Sequence, residues 1–312
     1  MNCPYCSADQ NSLKPKTWHK GEFFLFLCGN CDNKFVLPQP SNEELYTYYQ
    51  NSYLNRTEEH VSKKEAVLGS FYAKLISRFN PKASLVYEVG ASEGNLLYGL
   101  KNRGYEVTGF ELSEHSAKLG EKVLGVKIIA GKIPVHQDKK ANVLISSHVI
   151  EHLRDPKNEF LAYAENLTPG GILIATTPNV GSLLSKIFKN YHPWFSVPDH
   201  LFYFDKENIS KDFRAAGFKI NKVFTRNDKF SVLLLFLFSV LNYLKERRSP
   251  TKPQAWKHLL QTPEARPLSK KRLKGFIYKN IDRLLFVPSK LLELTLGIFN
   301  LNDELWIIAE KL

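Results

Sequence analysis

Two sets of residues in this 312-residue chain have the types and spacing to do chemistry. The first is Cys3-Pro-Tyr-Cys6 with Cys28-Gly-Asn-Cys31. Two C-x2-C knuckles about twenty residues apart offer four thiolates from two tight turns, the donor set of a structural zinc ribbon. A redox pair or free thiols are the other readings, and the duplication of the knuckle argues against both. A site closed by Cys3, Cys6, Cys28 and Cys31 has no open position for water, so its expected role is structural. The second set is the stretch LVYEVGASEGN, Leu85 to Asn95, read with Glu111. Gly90 and Gly94 make a turn where backbone must approach a ligand, and an acid at the next strand tip can grip ribose hydroxyls. The glycines stand as G-x-x-x-G rather than G-x-G-x-x-G, so the turn is not a pyrophosphate cradle.

These residues need strands and helices to hold them. Leu85, Val86, Tyr87 and Val89 form a short run suited to a buried strand, NLLYGLKNRG carries a helix pattern, and EVTGFE is a second strand ending at Glu111. From 81 to 226 strand and helix patterns keep alternating, with Asp155 as N-cap and Pro156 at the first turn of one helix. Such alternation predicts a doubly wound parallel α/β sheet with its ligand at the carboxyl ends of the strands. Residues 41–80 read as two or three helices, opened by a capping box, Ser41 and Glu44. The division predicted is 1–40 zinc ribbon, 41–80 helical cap, 81–227 with 303–312 the main α/β domain, and 228–302 a helical insertion.

Composition narrows the setting. The chain starts MNCPYCSADQ without a signal-like run, and no uncharged apolar stretch reaches membrane-spanning length. A cytoplasmic protein is expected. Net charge is +12, but thirteen Lys/Arg against three Asp/Glu lie between Lys245 and Lys290, so one surface is basic rather than the whole molecule. The apolar run Phe230–Leu244 precedes that segment directly. Apolar helices beside lysines suit the face of an anionic membrane, giving possible peripheral contact through 228–302 on the inner membrane face; an extra helical layer or a dimer interface has the same composition, and oligomeric state stays open.

The stretch around Glu88, Gly90 and Gly94 resembles motif I of the class I S-adenosylmethionine (SAM)-dependent methyltransferases, with Ser92 in place of a middle glycine. Ser147-His148-Val149-Ile150-Glu151-His152-Leu153 is similar to the HVIEHL signature of ubiquinone-type and related small-molecule members of that family. The resemblance spans about 84–226 and the last strand, and implies a Rossmann-like seven-stranded sheet. It implies that Glu88, Gly90, Ser92, Gly94 and Glu111 hold SAM and that His148 lies at the methionine end. Tyr46, Tyr48 or Tyr49 could touch ligand from the helices that precede motif I. The family often places an acid after the third strand for the adenine amino group. Here Ile129-Ala130-Gly131-Lys132 stands instead, leaving backbone and apolar contacts such as Ile133. Glu151 and His152 could bind a divalent ion or cap the next helix, the latter being the simpler reading.

Pro198-Asp199-His200-Leu201-Phe202-Tyr203-Phe204 resembles the substrate-facing loop of bacterial sugar methyltransferases that carry an N-terminal zinc ribbon. That likeness implies His200 as general base, oriented by Asp199, with His148 lining the site. The function expected is methyl transfer to a sugar or other small molecule, free or lipid-linked, in glycan or secondary metabolism. A base-directed nucleic-acid enzyme fits poorly: the fourth-strand tip lacks [DN]-P-P-[YF], and every cysteine is taken by the ribbon. An RNA methyltransferase held by ribbon and basic segment, or a silent SAM-binding interaction module, are the competing readings.

Overall fold

The structure is a computed structural model that describes residues 1–54, 56–58, 61, 66–227, 232–248 and 288–312. Its centre is a seven-stranded sheet of β4 (Leu85–Val89), β5 (Glu106–Glu111), β6 (Lys127–Ala130), β7 (Ala141–Ser147), β8 (Leu167–Pro178), β10 (Phe218–Arg226) and β11 (Glu304–Lys311). The spatial order is β10-β11-β8-β7-β4-β5-β6. Strands β6, β5, β4, β7 and β8 run parallel, and β11 lies antiparallel between β8 and β10. The sheet is therefore mixed rather than purely parallel, because the last strand returns into it from the opposite direction. The final segment is the seventh strand, as expected, and it lies between β8 and β10.

Both faces of the sheet are covered, which is why its central strands read as nearly continuous apolar runs. On one face Val86, Val143, Ile145, Ile174 and Trp306 pack against helices α2 (Ala66–Phe79), α3 (Asn95–Lys101) and α4 (Glu114–Leu124). On the other, Tyr87, Leu144, Leu173 and Ile307 meet α5 (Pro156–Glu165) and α7 (Lys206–Ala215) through Phe160 and Phe213. The alternation along each strand sends neighbouring side chains to opposite layers. Helix α1 (Asn42–Tyr53) begins with the expected capping box, Ser41 Oγ accepting from the Glu44 N–H and the Glu44 carboxylate accepting from the Ser41 N–H.

The cysteine-bearing segment is not a separate bead. Its strands β1 (Leu13–Lys20), β2 (Phe23–Cys28) and β3 (Lys34–Leu37) form a sheet that takes up a fourth strand from the main domain, β9 (Phe202–Tyr203). Lys34 pairs with Tyr203 and Phe35 with Phe202. The Lys34–Asp205 ion pair and an Asn33–Asp212 hydrogen bond tie the same edge to α7. Burial pushes the Asp212 carboxyl up to about 6, against Asn33 and Tyr5, which lower it.

Of the predicted insertion, α8 (Val232–Arg248) and a helix α9 at 288–298 are described, and they pack with α6 (Leu183–Phe188) through Leu184, Val232, Leu235 and Leu296. Most of the basic segment falls at 249–287, outside the described residues.

Candidate active site

A cavity of about 640 Å³ opens at the carboxyl ends of β4, β5 and β7. That placement follows from the fold: parallel strands end there, and the loops that leave them diverge at the centre of the sheet.

The β4–α3 turn forms one wall. Gly90 has φ +71° and Gly94 φ +75°, left-handed values that glycine adopts without strain. At Gly90 a Cβ would stand 2.3 Å from Val149 Cγ2, so the backbone passes the β7 tip with no room for a side chain. Gly94 is the N-cap of α3. Ser92, also left-handed, donates its backbone N–H to Glu111 Oε2 at 2.8 Å. The Ser113 N–H binds the other carboxylate oxygen at 2.8 Å. Glu111 is thus fixed across two turns and keeps lone pairs toward the cavity it lines. Burial raises its carboxyl above the ordinary glutamate range, while the two backbone donors pull the other way.

Helix α1 roofs the cavity. Leu45, Tyr46, Tyr49 and Tyr53 recur at helical spacing and all line it. Tyr48 turns elsewhere and packs on Phe23. Tyr53 is an addition to the residues expected from sequence; its signal was the same spacing, two turns beyond Tyr46. Burial and the nearby Glu111 carboxylate push its phenol up to about 12, so it stays a neutral donor. On the floor, Gly131, Lys132 and Ile133 line the cavity, with Glu159 from α5 paired to Lys132 at 2.6 Å. Ile133, expected from sequence to offer an apolar contact in place of the family's acid, is on the cavity wall. Glu88, Ser92 and Gly94 are not on the wall; they shape it from behind, Glu88 lying buried within β4.

At the opposite end the β7 tip contributes His148, Val149 and His152. His148 holds φ +54°, an uncommon conformation for a non-glycine residue, and its ring stacks on Trp194 at 5.4 Å. Behind it stand two buried carboxylates: Glu151 Oε1 lies 3.4 Å from His148 Nδ1 and Glu304 Oε1 3.7 Å from Nε2. Glu304 comes from the last strand, far from any motif, and no local signal pointed to it. Glu151 is 1% exposed and accepts a hydrogen bond from Thr177 at 3.0 Å. Burial alone would raise its carboxyl, but His148, His152 and His200 outweigh that and hold it at about 2. It does not cap the following helix, a role taken by Asp155.

His200 belongs to this cluster, but not in the arrangement the sequence implied. Its ring packs edge-on against His152 at 4.7 Å, and its Nδ1–H donates to the Trp194 carbonyl at 2.8 Å. The Asp199 carboxylate instead accepts from Ser196 Oγ at 2.9 Å, while the Asp199 carbonyl accepts from His152 Nδ1 at 2.8 Å. So Asp199 aligns His152 through its backbone rather than His200 through its side chain. His200 is buried one layer behind the cavity wall, and burial, then His152, lowers its basicity. The ribbon fixes this layer: the Val36 N–H binds the Leu201 carbonyl, and the Leu201 N–H binds the Glu151 carbonyl.

The four cysteines meet on the ribbon. Cys3 Sγ lies 3.7 Å from Cys31 Sγ, and Cys6 Sγ 3.7 Å from Cys28 Sγ, with no disulfide among them. Ligands about 2.3 Å from a tetrahedral zinc stand about 3.8 Å apart, so the thiols are already spaced for that ion.

A family described as a methyltransferase domain matches residues 59–223. No curated protein matches the sequence. Among solved structures, the chain is similar to a SAM-dependent methyltransferase from Archaeoglobus fulgidus, 18% identical over 80% of this chain and 95% of that one, TM-score 0.46. It is also similar to the SAM-bound amino pentose methyltransferase CalS10 from Micromonospora echinaspora, 16% identical over 54% and 88%, TM-score 0.41. A third likeness is to the [4+2]-cyclase SpnF, 13% identical over 79% and 80%, TM-score 0.46.

Proposed function

We propose that this chain, which belongs to the methyltransferase-domain family, is a class I enzyme with SAM as donor and methylates a hydroxyl of a sugar or sugar-like small molecule. The observation that carries the reading is the two-ended cavity: a backbone-fixed carboxylate, Glu111, at one end and a buried acid–histidine cluster at the other. Bound SAM supplies a methyl group on a sulfonium; the O–CH3 bond forms as the S–CH3 bond breaks, and the acceptor's proton must leave.

The chain's own residues divide that work. Glu111 accepts from ribose hydroxyls, while Gly90 lets the donor lie against bare backbone. Tyr46, Tyr49 and Tyr53 keep water out of the cavity. Glu151 and Glu304 set a negative field at the far end that favours a sulfonium there. His148 is the histidine on the wall with carboxylates behind both ring nitrogens, so it is the group assigned to take up the proton. His200, expected as the base from sequence, is assigned a supporting place behind His152, because its Nδ1 is committed and it does not reach the wall. Cys3, Cys6, Cys28 and Cys31 hold zinc and thereby brace β9 and the loop before it.

The substrate can be lipid-linked, and we propose that α8 and α9 meet an anionic membrane surface. Leu291, Leu294 and Ile298 on one helix, Phe299 just after it, and Phe236, Leu241 and Leu244 on the other are exposed, next to Lys245, Arg247 and Arg248. No helix among the described residues is long and apolar enough to cross a membrane. Flotation with phosphatidylglycerol-rich and neutral vesicles tests this: co-migration only with the anionic set is expected, and none with either set defeats it.

The function is tested with labelled SAM against nucleotide sugars, lipid-linked saccharides and RNA. Label entering a saccharide supports the reading. Transfer to RNA alone, or SAM binding with no transfer to any of the three, overturns it.

A further inference from the structure

Among the described residues two groups of side chains converge closely enough to hold a metal ion, the ribbon cysteines and a second group, Glu151, His152 and His200. Each residue of the second group offers one donor atom, and those atoms lie within 4.8 Å of one another. What makes them a donor set is the state of each ring. His152 Nδ1–H donates to the Asp199 carbonyl and His200 Nδ1–H to the Trp194 carbonyl, each at 2.8 Å. A carbonyl only accepts, so the proton must sit on Nδ1 in both rings, leaving Nε2 of each neutral ring a lone pair. Imidazoles that bind metal are held in this way, the second nitrogen donating to a carbonyl or carboxylate. Glu151 Oε1 is a buried carboxylate oxygen 3.4 Å from His148 Nδ1 and 3.9 Å from His152 Nε2. Two imidazole nitrogens and one carboxylate oxygen, supplied by the turn after β7 (Glu151, His152) and the loop before β9 (His200), are the facial donor set of a divalent first-row metal with open positions.

We propose that Glu151, His152 and His200 bind a divalent first-row transition ion at the edge of the methyl-transfer cavity, distinct from the ribbon's zinc. Donors about 2.1 Å from an ion stand roughly 3.0 Å apart at right angles and roughly 3.4 Å apart in a tetrahedron, so from spacings of up to 4.8 Å they must close in by up to about 1.8 Å on binding. The carboxylate is already anchored by Thr177 and its backbone by Leu201, so the histidines do the moving. Because His152 lines the cavity, the open positions face the acceptor. An ion there takes the acceptor oxygen and lowers the pKa of its hydroxyl, and the released proton goes to His148. The ion's binding does not depend on SAM being the donor; only this consequence rests on the function proposed above.

The test uses the full chain with its ribbon already zinc-loaded, titrated with Co²⁺. Expected is one further equivalent with visible ligand-field bands, no thiolate-to-cobalt charge transfer, and two exchangeable paramagnetically shifted imidazole N–H protons. Glu151→Gln and His152→Ala should each weaken binding at least tenfold. No uptake by the wild-type chain up to millimolar Co²⁺, or uptake without the two N–H signals, overturns the proposal. The wild-type spectra decide the matter even if a variant fails to fold. SAM calorimetry on the same sample separates the two readings: cobalt bound without SAM sinks the function and leaves the ion, and SAM bound without cobalt does the reverse.

Discussion

The two ends of the cavity are built on different principles. The proposed donor end is centred on one unbroken stretch, Leu85 to Glu111, in which strand, turn, helix and strand follow one another and the Ser92 N–H ties the β4 turn to the Glu111 carboxylate at the β5 tip. The acceptor end is assembled from His148 to His152, Trp194 to Tyr203, Glu304 of the last strand, and a strand of the ribbon that pairs with β9. A donor common to many reactions can be met by a short recurrent segment. An acceptor particular to one reaction is met by parts brought from across the chain. The two ends should therefore fail separately.

Removing the zinc site should have the largest effect. Cys28→Ser, or chelation, removes the ion proposed to brace the four-stranded sheet, and structural zinc contributes on the order of 10 kcal/mol in small ribbons. Loss of β3 releases β9 and the Leu201–Glu151 link, so turnover should vanish. The methyltransferase core should keep its SAM affinity within a few-fold, measured by calorimetry on the folded fraction. If SAM affinity collapses with turnover, the two ends are one unit and the comparison fails.

His148→Ala comes next. A positioned general base contributes about 10²- to 10⁴-fold, and a drop of that size in kcat is expected, with SAM affinity changed far less. Undiminished kcat removes His148 from proton transfer. At the donor end, Gly90→Ala adds a Cβ against Val149 at a left-handed φ; strain of about 1–2 kcal/mol and a displaced turn should weaken SAM binding by tenfold or more. Unchanged affinity would show that SAM does not lie against this turn.

The smallest effect is in pH. Burial raises the Glu111 carboxyl above the ordinary value of 4.5, so it takes up a proton sooner on acidification than an exposed glutamate does. SAM affinity should accordingly weaken as pH falls toward that value from above, the charged form being the one that accepts both ribose hydroxyls. A flat profile in calorimetry between neutral pH and 5 contradicts this.

The same division explains what was legible in the sequence. Gly90, Gly94 and Glu111 are readable because spacing along one chain segment fixes their place in space. The ribbon cysteines are readable for the same reason, two tight turns each supplying a pair. The order of the sheet follows from alternation, although the antiparallel setting of β11 depends on a return through residues the pattern does not constrain. At the acceptor end spacing no longer decides. Asp199 and His200 are neighbours in sequence, which suggested a pair, but the loop turns His200 onto the Trp194 carbonyl and gives the Asp199 carboxylate to Ser196. Glu304 arrives beside His148 only through sheet topology. Glu151 reads as a helix cap, and its tertiary surroundings make it instead the buried acid among three histidines.

The most direct test of the account is SAM calorimetry on wild type, Glu111→Ala and His148→Ala side by side. One equivalent of SAM should bind the wild type; Glu111→Ala should lose at least about a hundredfold in affinity, on the basis of roughly 1.5–3 kcal/mol for each of two hydrogen bonds to a charged group, while His148→Ala stays within a few-fold. Equal affinities for all three proteins, or no binding by the wild type, would contradict it.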